Sequence, residues 1–254
     1  MTPNHVTRKP RAGTGSHSTP SAHRLRRLAR RLVLAGLLAG LPAALGAIAL
    51  AQSSSVVVED WTKIPVATKG IPPGWQGQKW GDPRYDFTVV EDGAGKALHL
   101  KSADDSSTIS KEIKVDVKQY PILEWTWKVV ALPPRGHARK AETDDEAAQL
   151  YVTFPRFPTT LRSRIIGYIW DSTEPAGASF QSAKVSSVHY IVVRSGGADL
   201  GKWIAERRNV LEDYKKIYGE SPGESAGAIT LSINSQNTGS RAESLFGKIL
   251  FTKP

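Results

Sequence analysis

Three consecutive carboxylates, Asp144, Asp145 and Glu146, stand just before a strand-like segment. Two carboxylates held close together can act as acid and base on a glycosidic bond. Carboxylate oxygens are also the ligands that a hard cation such as Ca²⁺ prefers. Acidic runs in loops are, however, most often simply solvated. The residue types alone leave these three interpretations open.

A second polar group lies in residues 203–214, which combine aromatic rings with arginines and carboxylates. Arg208 offers paired donors and Glu206 and Asp213 offer acceptors, a combination found in concave ligand sites. The same charges can instead form a structural network that docks a helix on a sheet. Tyr168 and Trp170, further upstream, are candidates for an aromatic face against which a sugar ring stacks.

No catalytic set accompanies these groups. The chain has no cysteine, which removes thiol chemistry, disulfides and cysteine-based metal sites. No His-Glu-x-x-His pattern is present, and nothing in the spacing suggests a Ser-His-Asp triad. We therefore expect no metal and no cofactor. The candidate residues are assigned to ligand binding, and they are Asp144, Asp145, Tyr168, Trp170, Glu206, Arg208 and Asp213.

The elements that position these residues are predicted to be mostly strands. Short alternating or apolar runs are separated by Pro- and Gly-rich turns, and long helical periods are rare. This pattern predicts an antiparallel sandwich or barrel rather than a doubly wound fold. The predicted strands are residues 56–59, 97–101, 108–115, 122–130, 149–154, 164–170, 189–194, 227–234 and 245–252.

The strand at 122–130 places Trp125 and Trp127 on one face, because side chains alternate along a strand. Two tryptophans on one face can form a sugar-binding surface, but we assign both to the core. One helix is predicted near the C-terminus, capped by Asn209 and ended by Gly219, with residues 202–208 entering it as extended chain. Glu212 and Lys216 are spaced for an ion pair on that helix.

The N-terminal 51 residues resemble an export signal. Residues 1–23 are predicted to be disordered; Arg24, Arg26, Arg27, Arg30 and Arg31 precede an apolar run over residues 32–50, and Ala49-Leu50-Ala51 provides a small-residue exit. We predict cleavage after Ala51, a single domain over residues 52–254, and a periplasmic or secreted product. An uncleaved signal anchor is the alternative and would be the chain's only membrane contact. Twin-arginine and general secretory export both remain open.

The leader also explains the net charge of +10. It holds eight of the 34 basic residues and none of the 24 acidic ones, so the remainder carries 26 basic against 24 acidic residues. A nucleic-acid-binding surface is therefore not expected.

Several blocks resemble a family of exported bacterial proteins known as domain of unknown function 3047. They are residues 123–128, 144–146 with 150–152, 167–170, 203–214 and 234–239. The resemblance implies a jelly-roll-like β-sandwich, export, and no established activity. Members often carry an Asp-x-Asp-Asn-Thr run near the C-terminus, where this chain has Asn234 and Gln236. The loss of two carboxylates should weaken any cation site there.

These observations favour a non-catalytic, exported β-sandwich domain that binds a glycan or a similar polar ligand of the cell envelope. The first alternative is a glycan-active hydrolase or lyase that uses two of the carboxylates at 144, 145, 206 and 213. A third possibility, a structural envelope protein that recognises other proteins, predicts an exposed apolar patch.

Overall fold

The computed structural model of the protein describes residues 54–93 and 95–254. The predicted leader, its cleavage site and the domain boundary after Ala51 lie outside the described residues. Within the part described, no helix has both the length and the apolar character needed to cross a membrane.

Strands dominate the described chain, with two α-helices among them. All nine predicted strands are present, and β11 forms where extended chain was predicted. The helices are α1 (Thr159–Arg162) and α2 (Val210–Tyr218). In chain order the strands are β1 (Ser55–Glu59), β2 (Gln76–Gly77), β3 (Asp86–Glu91), β4 (Lys96–Ala103), β5 (Ser106–Val115), β6 (Ile122–Ala131), β7 (Ala148–Phe154), β8 (Arg164–Asp171), β9 (Ser179–Gln181), β10 (Val188–Ser195), β11 (Ile204–Asn209), β12 (Ala226–Asn234) and β13 (Arg241–Thr252).

The strands form two sheets. Sheet A has the order β11-β6-β13-β4-β3, with β1 also paired to β13, and sheet B has the order β2-β5-β12-β7-β8-β10-β9. The predicted all-β sandwich is confirmed. One ladder departs from the antiparallel prediction, because β10 pairs with β8 in parallel. The chain leaves β8, runs back along β9, and returns as β10 between the two, so β10 has the direction of β8.

Large aromatic rings join the two sheets. Trp125 and Trp127 of β6 are 1% and 0% exposed, as the alternation predicted. Trp125 contacts Tyr168 of sheet B, with ring centroids 5.4 Å apart, and Trp127 contacts Trp170 at 5.9 Å. Burying one such ring removes about 150–250 Å² from water, which contributes roughly 4–6 kcal/mol at most. The tryptophans therefore form the core between the sheets.

The helix α2 begins and ends where the sequence predicts. Asn209 Oδ1 accepts a hydrogen bond from the Glu212 backbone N–H (3.1 Å), and Gly219 takes the left-handed conformation with φ of 73°. The predicted Glu212–Lys216 ion pair is wrong, because Glu212 pairs with Lys215 instead, at 3.0 Å. Lys216 is left exposed.

Candidate functional site

A cleft of about 440 Å³ lies between β10 of sheet B and β11 of sheet A. Among the described strands, β11 is an edge strand paired with β6, and β10 is followed in its sheet by the three-residue β9. Residues of α2 complete the lining. The volume falls in the range typical of small-ligand sites. The lining residues that matter below are Ser179, Ile191, Val193, Glu206, Arg208, Asp213 and Lys216.

The alternation of β11 decides which side chains face the cleft. Glu206 and Arg208 point to its half-buried side, and Arg207 between them points to the exposed side. Arg207 pairs there with Glu124 of β6, at 3.3 Å. One strand thus contributes an acceptor and a donor, two residues apart, to the same side.

Glu206 links the cleft to the core. Its Oε1 accepts hydrogen bonds from Trp127 Nε1 (3.1 Å) and from Arg194 Nε (2.7 Å). Its side chain is only 9% exposed. The carboxylate is therefore held by an indole from below and a guanidinium from β10, which fixes its position.

Asp213 is the second fixed carboxylate. Arg208 donates to it twice, from Nε to Oδ2 (3.0 Å) and from Nη2 to Oδ1 (2.5 Å). The Tyr168 hydroxyl donates to Oδ2 as well, at 2.8 Å. Burial lowers the pKa of Arg208, but the hydrogen bonds and charge of Asp213 raise it more, so Arg208 stays cationic. Burial, with the Asp213 charge, raises the pKa of Tyr168 well above its ordinary value.

Three of the seven predicted site residues, Glu206, Arg208 and Asp213, therefore line this cleft. The hydroxyl of a fourth, Tyr168, donates to Asp213 from the core. The prediction that Tyr168 and Trp170 present an aromatic face is wrong. Their rings are 0% and 1% exposed, because both stand on the inner face of β8 and pack against the tryptophans of β6. The Trp170 indole N–H donates to the Gly196 carbonyl, at 3.0 Å.

Asp145 has a structural role in a different place. Its two carboxylate oxygens accept from the backbone N–H of Asn237 (3.1 Å) and from the backbone N–H and hydroxyl of Thr238 (both 2.7 Å). The side chain is completely buried. It clamps the turn between β12 and β13, and its position contradicts the prediction that it contacts a ligand.

Asp144 and Glu146 form a buried acid pair rather than a solvated run. They are 5% and 1% exposed. Burial, and then the charge of Asp144, raise the pKa of Glu146 well above its ordinary value. Burial also raises the pKa of Asp144 against the opposing effect of Lys184, 3.4 Å away. The pair stands in the loop before β7, and the candidate ligand residues thus fall into two separate groups.

The residues that complete the cleft, or that hold its carboxylates in place, are not among those predicted from the sequence. Arg194, Ile191 and Val193 belong to a strand that was predicted, but nothing in the sequence indicates that this strand faces β11. Lys216 was assigned to an ion pair that does not form. Within residues 54–93 and 95–254, no group of three or more histidines and carboxylates is placed to hold a metal ion.

Two sheets packed around shared aromatic rings, with a polar cleft at one edge, define a β-sandwich protein with a candidate ligand site. The chain belongs to the family described as Protein of unknown function (DUF3047), whose model matches residues 73–250. The family resemblance seen in the sequence is confirmed. A comparison with curated proteins found no match.

Among solved structures, the chain is similar to several carbohydrate-binding modules. A family 11 module of a Clostridium thermocellum cellulosomal cellulase has 6% identity and a TM-score of 0.44, over 79% of this chain and 95% of the module. A xylan-binding module from Paenibacillus barcinonensis has 10% identity and a TM-score of 0.39, over 80% and 99%. A family 30 module from Clostridium thermocellum has 12% identity and a TM-score of 0.39, over 78% and 97%. Similarities at this level carry no inference about ligand or activity.

Proposed function

We propose that the protein is an exported, non-catalytic domain that binds a glycan or a similar polar ligand in the cleft between β10 and β11. The observation that carries this proposal is the convergence of Glu206, Arg208 and Asp213 on one cleft of about 440 Å³. Export rests on the arginine-rich, apolar N-terminal pattern and on the nearly balanced charge of the rest of the chain.

The cleft residues are suited to binding because they are already ordered. Glu206 is held by Trp127 and Arg194, and Asp213 by Tyr168 and Arg208. Side chains that are fixed before association lose little rotational freedom when a ligand arrives. A saccharide, with many hydroxyl groups at fixed angles, is a ligand for which such fixed donors and acceptors give both affinity and orientation.

The hydrogen-bond partners and the positions of the carboxyl groups favour binding over glycoside hydrolysis. A glycosidase needs one carboxyl group that stays protonated and within reach of the scissile bond. In the cleft, Glu206 accepts hydrogen bonds from Arg194 and Trp127, and Asp213 accepts from Arg208 and Tyr168, so both carboxylates are already engaged within the protein. The acid with the strongly raised pKa is Glu146, which is 1% exposed and lies outside the cleft.

Calorimetric titration of soluble oligosaccharides into the protein tests this proposal. The informative variant is Ser179→Trp, because Ser179 is an exposed lining residue whose replacement fills the cleft without touching the core. The matched control is Gln181→Trp, on the same short strand, exposed, and absent from the lining. We expect binding that Ser179→Trp abolishes and Gln181→Trp retains. Equal binding by both variants, or none by the wild type across the panel, would refute the proposal.

A further inference from the structure

The cleft has more cationic than anionic character at its mouth. Two carboxylates of its lining are each paired with a guanidinium: Glu206 with Arg194 of β10 (2.7 Å), which stands beside the lining, and Asp213 with Arg208 (2.5 Å). Arg207 is also in the lining and pairs with Glu124 (3.3 Å). Lys216 is exposed at the same cleft, and within the described part of the chain it has no ion-pair partner. A free ammonium group therefore stands beside two paired guanidinium groups.

The carboxylates of these pairs are occupied from inside the protein. Asp213 accepts from Tyr168 as well as from Arg208, and Glu206 accepts from Trp127 as well as from Arg194. A guanidinium, in contrast, has five N–H donors, and Arg208 uses two of them on Asp213. The Arg208 side chain is 35% exposed, so its remaining donors are within reach of a ligand. The groups left to a ligand are thus mainly positively charged donors.

The apolar part of the lining is aliphatic. It is formed by Ile191, Val192, Val193 and Ile217, and none of the described residues that line the cleft is aromatic. Neutral sugars gain much of their affinity from contact between a ring face and a flat aromatic side chain, which this cleft does not offer. Hydrogen bonds in which one partner is ionised are roughly twice as strong as neutral ones. A carboxylate ligand adds a Coulomb attraction to Arg208 and Lys216 that a neutral hydroxyl lacks. A ligand that supplies a negative charge fits this cleft better than a neutral sugar.

We infer that the cleft takes an acidic saccharide, one whose sugar rings carry carboxylate groups, with Arg208 and Lys216 as the residues that select for the charge. This inference rests on the proposed function and names the ligand class of the same site.

The test uses the full chain and pairs of ligands that differ only in charge. Oligogalacturonate is compared with its methyl ester, which has the same ring and no charge, and a mannuronate–guluronate oligomer and a neutral glucan of equal length are run alongside. Dissociation constants are measured by calorimetry at 20 mM and 300 mM salt. Lys216→Gln is compared with Lys215→Gln, which removes the same charge from the same helix at an exposed position outside the cleft lining.

We expect at least one oligouronate to bind at least 10-fold more tightly than its ester or the neutral glucan. We expect this preference to fall in Lys216→Gln and at high salt, and to persist in Lys215→Gln. Equal affinity for charged and neutral saccharides, abolished by Ser179→Trp, would overturn the acidic-ligand inference and leave the proposed function intact. If Lys216→Gln and Lys215→Gln reduce the preference for the charged saccharide equally, the role of Lys216 is overturned. Absence of binding to every saccharide would overturn both proposals.

Discussion

The hydroxyl of Tyr168 donates a hydrogen bond to Asp213 Oδ2 across 2.8 Å, from the inner face of sheet B to the helix α2. Arg208, from the edge strand of sheet A, holds the same carboxylate from the other side. Asp213 is therefore the point at which both sheets and the helix meet. The sequence left this charged network open as either a ligand site or a structural dock. In the structure its bonds dock the helix, and the same residues line the cleft that we propose as the ligand site.

The first prediction concerns Tyr168→Phe. The change removes one hydrogen bond to a charged, buried carboxylate, and it should lower the free energy of unfolding by about 1.5–3 kcal/mol. Urea denaturation measures the loss. Tyr218→Phe is the control, because the Tyr218 hydroxyl makes a long contact of 3.4 Å with the Ile165 carbonyl. The loss of this weaker bond should lower the free energy of unfolding by less than about 1 kcal/mol. A Tyr168→Phe protein as stable as the wild type would show that the Tyr168–Asp213 hydrogen bond does not stabilise the fold.

The second prediction concerns pH and Glu146. Its pKa is raised by burial and by the charge of Asp144, so the folded protein binds this proton more tightly than the unfolded chain does. The stability that comes from the proton is present below the ordinary pKa of 4.5 and is lost as the pH rises toward the higher folded value. Glu146→Gln keeps the position uncharged. The free energy of unfolding of this variant should therefore fall less between pH 5 and pH 8 than that of the wild type.

Urea denaturation at several pH values checks this prediction. Glu142→Gln is the control, since Glu142 is exposed in the same loop, and its stability should follow the wild-type pH profile. An identical pH dependence for Glu146→Gln and the wild type would show that Glu146 is not held protonated.

The third prediction assigns Asp145 to stability rather than to binding. Asp145→Ala leaves two backbone N–H groups and a hydroxyl of the 237–238 turn without their acceptor. We expect a loss of about 2–4 kcal/mol in unfolding free energy, partly restored by Asp145→Asn, which keeps one acceptor. Saccharide affinity of the folded variant should be unchanged. Lost affinity in a protein of normal stability would return Asp145 to the ligand site.

The fourth prediction concerns close packing on the outer face of sheet B. A Cβ on Gly167 would stand 2.8 Å from the Tyr151 ring and 2.9 Å from the Tyr190 ring. Gly167→Ala should therefore cost about 1–3 kcal/mol, as overpacked sites do. Gly223→Ala, where a Cβ meets nothing within 4 Å, is the control and should be nearly neutral in thermal unfolding. Equal melting temperatures for the two variants would contradict this packing.

Much of the fold follows from local rules. The alternation in β6 predicts that Trp125 and Trp127 are buried, and the cap at Asn209 with the glycine at 219 predicts the helix ends, because both depend on neighbouring residues alone. β2 and β9, with two and three residues, are too short to show alternation. The parallel pairing of β10 with β8 depends on where a chain reversal places a strand, which no local pattern specifies.

Only the part of the candidate site that lies within one short segment of the chain could be predicted from the sequence. Glu206, Arg208 and Asp213 lie within eight residues of one another, so their clustering could be seen in the sequence. Arg194 reaches them from another sheet, and Tyr168 turns its hydroxyl rather than its ring toward them. The burial of Asp144 and Asp145 depends on distant partners at Lys184 and Thr238, so the loop's acidic composition alone could not decide among the interpretations it left open.

An oligouronate titrated into the protein and followed by NMR through the backbone amide chemical shifts locates the ligand site residue by residue. If the ligand lies in the cleft, the largest changes fall on residues 191–194 of β10, on β11 and on the first turns of α2, and Ser179→Trp removes them. Changes centred on the outer face of either sheet, or on the loop that carries Asp144 and Glu146, would show that the ligand binds elsewhere.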